Sequence, residues 1–273
     1  MLTRRTLCLT LSGLALSACA TGSQRTAPPP AGPAPASLAM PAVIRPDFGD
    51  SDPVDFPGRK PARYPVHGID AARFQDAADW PTARAAGVNF AFLKATEGGD
   101  RTDPMFDSHW RGARAAGIPT SAYHFFYFCT PAEVQARWFI RNVPKTPGML
   151  PPVLDLEWNP FSPTCTHRPE GAVVRREARI FLAALEAHYG QRPVVYTTPE
   201  FYRQTGIGKL RAVEFWLRST AKPLSEVYPG QRWRFWQYSG TGLVPGFLDE
   251  VDLNLFNGSA ADWAAWLTAR RVT

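Results

Sequence analysis

The sequence contains few residues that ligate metals. It has four cysteines and five histidines among 273 residues, and they form no HExxH or CxxC motif. Zinc sites use such closely spaced His and Cys ligands, often completed by a carboxylate. The sequence therefore argues against a metal centre, and we expect no cofactor.

Motifs for nucleotide and nucleophilic-serine chemistry are also missing. No P-loop, dinucleotide-binding fingerprint or Gly-x-Ser-x-Gly elbow occurs at a credible position. The formal charge is +6, two of which come from Arg4 and Arg5, and the remaining basic residues are scattered among acidic ones. Because nucleic-acid binding uses clustered basic residues, we expect no nucleic-acid partner.

No apolar run is long enough to span a bilayer as a mature helix, but a short run lies at the start of the chain. Arg4 and Arg5 precede the apolar residues 7–16, and Leu16-Ser17-Ala18-Cys19 follows. This order is typical of a secretory signal peptide, and its end resembles the lipobox of bacterial lipoproteins. We predict a signal peptide over residues 1–18 and a lipid on Cys19; the alternative is a plain signal with an incidental cysteine.

The lipobox predicts an exported protein, anchored by lipid on the periplasmic side of the envelope. Ala20 is not the aspartate associated with inner-membrane retention, which favours the outer membrane. Cys8 would leave with the signal peptide, so Cys129 and Cys165 would remain as a pair in an oxidising compartment. We predict a disulfide between them.

Proline divides the chain into two parts. Many of its 27 prolines fall between residues 28 and 65, among Ala, Gly and Ser, with no sustained helix or strand period. We predict that residues 19–63 form a lipidated, disordered tether. Residues 64–273 are enough for one α/β barrel domain, which we expect to be monomeric.

The globular part alternates short apolar runs with helical segments that end at glycine. The predicted helices cover residues 79–86, 104–116, 131–142, 170–189 and 260–269. The predicted strands cover residues 66–70, 88–96, 118–126, 152–157, 193–197, 213–218, 233–238 and 250–253. We predict an irregular TIM-like β/α barrel of eight strands, with reduced helices in its C-terminal half.

Four acidic residues fall at predicted strand ends: Asp70, Asp155, Glu157 and Asp252. Barrel enzymes carry their catalytic groups at the C-terminal ends of the strands. Asp155 and Glu157 are two residues apart, so their side chains share one face of the strand. Neighbouring carboxylates raise each other's pKa, which suits the acid and its partner in glycoside hydrolysis. An isolated Asp-x-Glu more often pairs with arginine or caps a loop, so these two residues alone do not identify an enzyme.

Several short motifs accompany these acids in order. They are His67-Gly68-Ile69-Asp70 with Phe74-Gln75, Lys94-Ala95-Thr96-Glu97-Gly98, Ala122-Tyr123-His124-Phe125, Pro151-Pro152-Val153-Leu154-Asp155-Leu156-Glu157, Val195-Tyr196-Thr197, Phe235-Trp236-Gln237-Tyr238-Ser239 and Val251-Asp252-Leu253-Asn254. Together they resemble glycoside hydrolase family 25 over about residues 65–268. The resemblance implies an irregular β/α barrel with muramidase (lysozyme) activity on peptidoglycan.

The resemblance also implies roles for individual residues. Glu157 would be the general acid, and Asp155 would be a nucleophile or a support for the substrate's acetamido group. Asp70 and Asp252 would complete the acidic cluster, and retention would follow. Substrate-binding roles would fall to Tyr123, Tyr196 and Gln237, which could equally be buried structural groups.

The chain also departs from the family pattern. Ala72 stands where a serine is common, and residues 158–168, which contain Cys165, look like an insertion at the cleft rim. The predicted disulfide would then stiffen the wall of the groove. Two rival functions remain open at this point: a barrel that binds peptidoglycan without turnover, and a glycosidase for another polysaccharide.

Overall fold

The structure is a computed structural model that describes residues 40–273. The predicted signal peptide, Cys19 and the tether up to residue 39 lie outside the described residues. In the described part, no helix is both long and apolar enough to cross a membrane.

Eight strands close into a barrel, as predicted. They are β2 (His67–Ala71), β3 (Ala91–Glu97), β5 (Thr120–Phe125), β6 (Val153–Leu156), β7 (Val194–Thr197), β8 (Glu214–Arg218), β9 (Phe235–Leu243) and β10 (Val251–Phe256). Pairing runs in that order, and β10 returns to β2 to close the barrel. Two-residue strands lie outside the barrel: β1 (Gly49–Asp50) pairs with β9, and β4 (Arg101–Thr102) pairs with β3.

The last strand breaks the parallel pattern. Neighbouring strands from β2 to β9 are parallel, whereas β10 is antiparallel to both β9 and β2. A short loop after β9 sends the chain straight back, so no crossover helix is needed. Asp252 is therefore at the start of its strand, not at the C-terminal end that the sequence predicted. Because β10 runs in reverse, its start lies at the same end of the barrel as the other acids.

Within residues 40–273, seven α-helices accompany the barrel. They are α1 (Trp80–Ala85), α2 (Phe106–Ala115), α3 (Ala132–Asn142), α4 (Gly171–Tyr189), α5 (Pro199–Thr205), α6 (Leu224–Val227) and α7 (Ala260–Arg270). Asp79 caps α1, Gly190 ends α4 in the left-handed conformation, and Ser259 with Asp262 forms a capping box on α7. The short α5 and α6 were not predicted, but their length agrees with the expected reduction of helices in this half.

Large aromatic side chains fill the barrel beneath the acidic end. Phe92 and Tyr196 both pack on Trp216, with ring centroids 4.5 Å apart in each pair. Gly68 makes room for this filling, because a Cβ there would lie 2.3 Å from the carbonyl oxygen of Phe90. The interior of the barrel is therefore packed with side chains and is not an open channel.

Residues 42–63 were predicted to be part of a disordered tether, but they lie against the barrel. The side chain of Asn89 bonds to both the N–H and the carbonyl of Ile44, and β1 extends the sheet beside β9. Phe56 is buried, with its ring centroid 4.9 Å from that of Trp236. The high proline content of this segment predicted disorder. The few apolar residues that contact the barrel, such as Ile44 and Phe56, do not stand out in its composition.

Candidate active site

The four predicted acids meet in one cleft at one end of the barrel. Asp70 is in β2, Asp155 is in β6, Glu157 follows β6 directly, and Asp252 is the second residue of β10. All four line a cavity of about 560 Å³ together with Tyr123. The parallel strand ends and the reversed β10 therefore bring together carboxylates from three separate parts of the sequence.

Asp70, which is buried, and Asp252, which is partly exposed, form one pair. They are register partners across β2 and β10, and Nε2 of Gln237 donates to Asp70 Oδ2 at 2.8 Å and to Asp252 Oδ2 at 3.0 Å. Asn254 Nδ2 donates to the same Asp70 oxygen at 2.7 Å. Burial, and then the charge of Asp252, raise the pKa of Asp70 well above its ordinary value. Burial also raises the pKa of Asp252. The pair accordingly holds a proton more tightly than either carboxyl would in water.

Asp155 and Glu157 form the second pair. Burial raises the pKa of Glu157 to about 7, against the opposing charges of Arg218 and Lys94. Burial, and then the charge of Glu157, raise the pKa of Asp155 well above its ordinary value. Asp155 Oδ1 is buried and has no hydrogen-bond partner among the described residues. Glu157 can hold and release a proton near neutral pH, which is the property required of a general acid.

Two cations near the acids were not singled out from the sequence. Lys94 Nζ donates to Glu97 Oε2 at 2.6 Å, and its charge opposes the pKa increase of Asp155 and Glu157. Arg218 is the last residue of β8, and it acts on Glu157, Asp252 and Tyr196 in the same direction. Its place at the end of a predicted strand was the signal in the sequence that could have identified it.

Of the three predicted substrate-binding residues, one lines the cavity and two lie below it. Tyr123 lines the cavity, whereas Tyr196 and Gln237 are buried beneath it and do not line it. Tyr196 donates from its hydroxyl to Gln237 Oε1 at 2.8 Å, and Gln237 in turn donates to Asp70 and Asp252. In this arrangement Gln237 and Tyr196 position the acids.

The two strand histidines are structural. His124 is fully buried between Thr96 Oγ1 at 2.7 Å and Gln135 Oε1 at 3.0 Å. His67 contacts the hydroxyl of Tyr238 and the carbonyl of Tyr64. Burial lowers the pKa of each histidine to about 4, so both are neutral at physiological pH. Within residues 40–273, no group of three or more His, Cys, Asp or Glu side chains is arranged to hold a metal ion.

The segment after Glu157 forms one wall of the cleft. A disulfide joins Cys129 and Cys165, whose Cα atoms are 5.7 Å apart, and so ties this segment to the loop after β5. Asn159, Phe161 and Ser162 line the cavity from this wall, and Phe161 is 93% exposed. Phe74, on the loop after β2, also lines the cavity and is 68% exposed. Exposed aromatic rings beside a polar cleft are typical of a ligand groove.

Comparison with known proteins identifies the family of the chain. The family model named "Glycosyl hydrolases family 25" matches residues 69–247. The chain belongs to this glycoside hydrolase family. The family 25 chain is 35% identical to lysozyme M1 of Streptomyces globisporus over 204 residues, which are 72% of this chain and 69% of that protein.

Solved structures of relatives have the same barrel. A family 25 glycosyl hydrolase from Bacillus anthracis superposes with a TM-score of 0.68 at 32% identity, covering 76% of this chain and 95% of that one. A bacterial lysozyme from Streptomyces coelicolor gives a TM-score of 0.66 at 34% identity, covering 75% of this chain and 97% of that one. The irregular barrel predicted from the sequence is therefore the fold of this hydrolase family.

Proposed function

We propose that this family 25 hydrolase is a lysozyme that cleaves the β-1,4 bond between N-acetylmuramic acid and N-acetylglucosamine in peptidoglycan. The observation that carries the proposal is the meeting of four carboxyl groups in one cleft, among them Glu157 with a pKa of about 7. The similarity to lysozyme M1 and to the Streptomyces coelicolor lysozyme supports this substrate.

Glu157 is the proposed general acid. Its carboxyl would donate its proton to the glycosidic oxygen as the bond to the anomeric carbon breaks, and the carboxylate would then take a proton from water. The raised pKa favours this role, because a glutamate with an ordinary pKa would be ionised at neutral pH.

Asp155 is the proposed partner of the substrate's acetamido group. Its buried Oδ1 has no donor among the described residues, and an acetamido N–H would supply one. With that N–H held, the acetamido carbonyl oxygen would attack the anomeric carbon, and water would then open the cyclic intermediate. Two displacements at one carbon give net retention of configuration. This assignment selects substrate assistance over a covalent bond to Asp155.

Digestion of purified peptidoglycan tests the bond that is cleaved. The full chain, the Glu157→Gln variant and a Glu133→Gln control on the exposed face of α3 are incubated with the polymer, and soluble products are identified by mass spectrometry. We expect fragments that end in reducing N-acetylmuramic acid from the wild type and the control, and none from Glu157→Gln. Reducing N-acetylglucosamine ends, or equal activity of Glu157→Gln, would refute the proposal.

Two further measurements test the mechanism. NMR of the first product formed should show the β anomer, because retention keeps the starting configuration. Glycan chains whose muramic acid residues are chemically N-deacetylated should not be cleaved, since the attacking carbonyl is absent. Cleavage of such chains at an unchanged rate would point to a covalent intermediate on Asp155.

We also propose that the enzyme is exported as a monomer and held in the envelope by lipid on Cys19, with the outer membrane favoured. The support is the order of Arg4, Arg5, an apolar run and Leu16-Ser17-Ala18-Cys19. Labelled palmitate should enter the wild-type protein in cells and not a Cys19→Ala variant. Incorporation into both would locate the lipid elsewhere.

A further inference from the structure

A small side pocket adjoins the catalytic cleft. Its volume is about 180 Å³, and it shares Arg73, Lys94, Glu97 and Arg101 with the lining of the cleft. Asp103 lies at its other side. Three cations and two carboxylates thus surround a space that opens beside the acidic cluster.

The carboxylates of the side pocket already have partners. Glu97 accepts from Lys94 Nζ at 2.6 Å and from the hydroxyl of Tyr127 at 3.2 Å. Asp103 accepts from the backbone N–H of Arg73 and from that of Met105, each at 3.0 Å. Lys94 is therefore already paired with Glu97, and Asp103 fixes the backbone of the loop that carries Arg73.

The guanidinium groups of Arg73 and Arg101 make few polar contacts within the described residues. The guanidinium of Arg73 makes no ion pair or hydrogen bond within the described residues, and it lies 5.1 Å from the ring centroid of Phe74. Arg101 approaches Glu97 only to 3.6 Å, and its side chain is 43% exposed. The β3–β4 pairing and a bond from Trp138 to the Arg101 carbonyl fix its backbone. Both guanidinium groups are thus available to an anion in the cleft.

We propose that Arg73 and Arg101 bind a carboxylate carried on the lactyl ether of muramic acid, and so select muramic acid over sugars without this acidic substituent. The inference rests on the proposed function. Arginine is the side chain best suited to paired hydrogen bonds with a carboxylate. The carboxylate has two sources: the lactyl group itself in glycan without peptides, or the stem peptide in intact peptidoglycan.

Arg73→Gln, Arg101→Gln and the double variant test the site on three substrates. These are intact peptidoglycan, the same glycan after amidase removal of the peptides, and the peptide-free glycan with its lactyl carboxylates converted to neutral methylamides. Arg211→Gln serves as the control, because Arg211 is exposed and precedes β8 at the opposite end of the barrel. We expect the double variant to raise KM about three- to tenfold on a carboxylate substrate, with kcat nearly unchanged, as partly exposed charge pairs contribute modestly.

The pattern across substrates identifies the source. An effect on intact peptidoglycan assigns the stem peptide, and an effect only on the peptide-free glycan assigns the lactyl carboxylate. The neutral methylamide should be cleaved with the same KM by the wild type and the double variant. An equal loss on all three substrates, or no change on any, would overturn the inference. If the wild type cleaved no peptidoglycan at all, the proposed function itself would fail.

Discussion

Asp70 and Asp252 face each other across the antiparallel pair of β2 and β10, and one amide group of Gln237 donates to both of them. Two carboxyl groups at this separation cannot both ionise at low cost. Their proximity therefore favours the protonated form of the pair, and Gln237, which itself accepts from Tyr196, donates to both carboxyl groups. Asp70, Asp252 and Gln237 thus form a hydrogen-bonded cluster that lines the same cleft as Asp155 and Glu157 or lies beneath it.

Replacement of Gln237 by leucine should destabilise this hydrogen-bonded cluster. The substitution removes the donor shared by Asp70 and Asp252, and it leaves the hydroxyl of Tyr196 without an acceptor. We expect the free energy of unfolding to fall by about 1–3 kcal/mol, the usual cost of unsatisfied buried polar groups. Urea unfolding measures this change. Ser225→Ala, at an exposed side chain on α6 that makes no hydrogen bond within the described residues, should cost less than about 0.5 kcal/mol. Equal losses in the two variants would contradict the role of Gln237.

The strands and the acidic residues of the site could be predicted from the sequence, but the direction of β10 and the hydrogen bonds between the side chains could not. Apolar runs and acidic residues located the eight strands and the four carboxyl groups. The direction of β10 depends on a short connection, and a run such as 250–253 has the same alternation whichever way the strand points. For that reason Asp252 was predicted at the correct end of the barrel through an incorrect assumption about its strand. The hydrogen bonds of Gln237 could not be predicted, because they depend on the register of β9, β10 and β2.

The pKa of Glu157 predicts the alkaline limit of activity. A general acid must be protonated, and the protonated fraction of Glu157 falls as the pH rises through about 7. Arg218 opposes the pKa increase, so Arg218→Gln should raise the pKa of Glu157 further. We expect the alkaline limb of the kcat/KM profile, which reports the free enzyme, to move to higher pH in this variant.

Two further measurements test whether the charge of Arg218 shifts the pKa of Glu157. Because Arg218 is exposed, high salt should move the wild-type limb in the same direction by screening its charge. Lys145→Gln, in an exposed loop outside the cleft, should leave the limb in place. A limb that moved to lower pH in Arg218→Gln would show that another group sets it.

Asp155 should reduce stability at neutral pH. Its folded-state pKa lies above the unfolded value, so the folded chain binds the proton more tightly and loses stability as the pH rises above about 4. Asp155→Asn removes this penalty. We expect the variant to be more stable than the wild type at pH 7 by about 1 kcal/mol, and inactive. The gain should shrink towards pH 4, where the wild-type carboxyl is protonated; a gain that did not depend on pH would exclude this cause.

The wall of the cleft was the least predictable part of the site. The segment of residues 158–168, which we predicted to be an insertion, and the pair of cysteines were visible in the sequence. The cavity-lining positions of Phe161 and Arg73 were not, because exposed side chains in irregular loops follow no period. Their positions depend on long-range restraints, namely the Cys129–Cys165 disulfide and the hydrogen bond from the Arg73 N–H to Asp103.

The disulfide should stabilise the fold as well as the wall. It closes a loop with a sequence separation of 36 residues, for which the loss of unfolded-state entropy is worth about 2–4 kcal/mol. The Cys129→Ser, Cys165→Ser double variant should therefore unfold at lower urea concentration than the wild type. In the presence of a reducing agent the two proteins should become equal. A difference that persisted after reduction would come from the serines themselves.

Phe161 should bind the glycan without contributing to the fold. Its ring is almost fully exposed on the disulfide-tied wall, where it can stack on the apolar face of a sugar that lies in the cleft. We expect Phe161→Ala to raise KM on peptidoglycan about three- to tenfold, to leave kcat nearly unchanged, and to leave the unfolding midpoint unaltered. Leu248→Ala is the matched control, because Leu248 is 91% exposed and does not line the cavity. If both substitutions raised KM equally, the effect would reflect general surface hydrophobicity, and if Phe161→Ala lowered kcat alone, the ring would act on the reacting sugar rather than on binding.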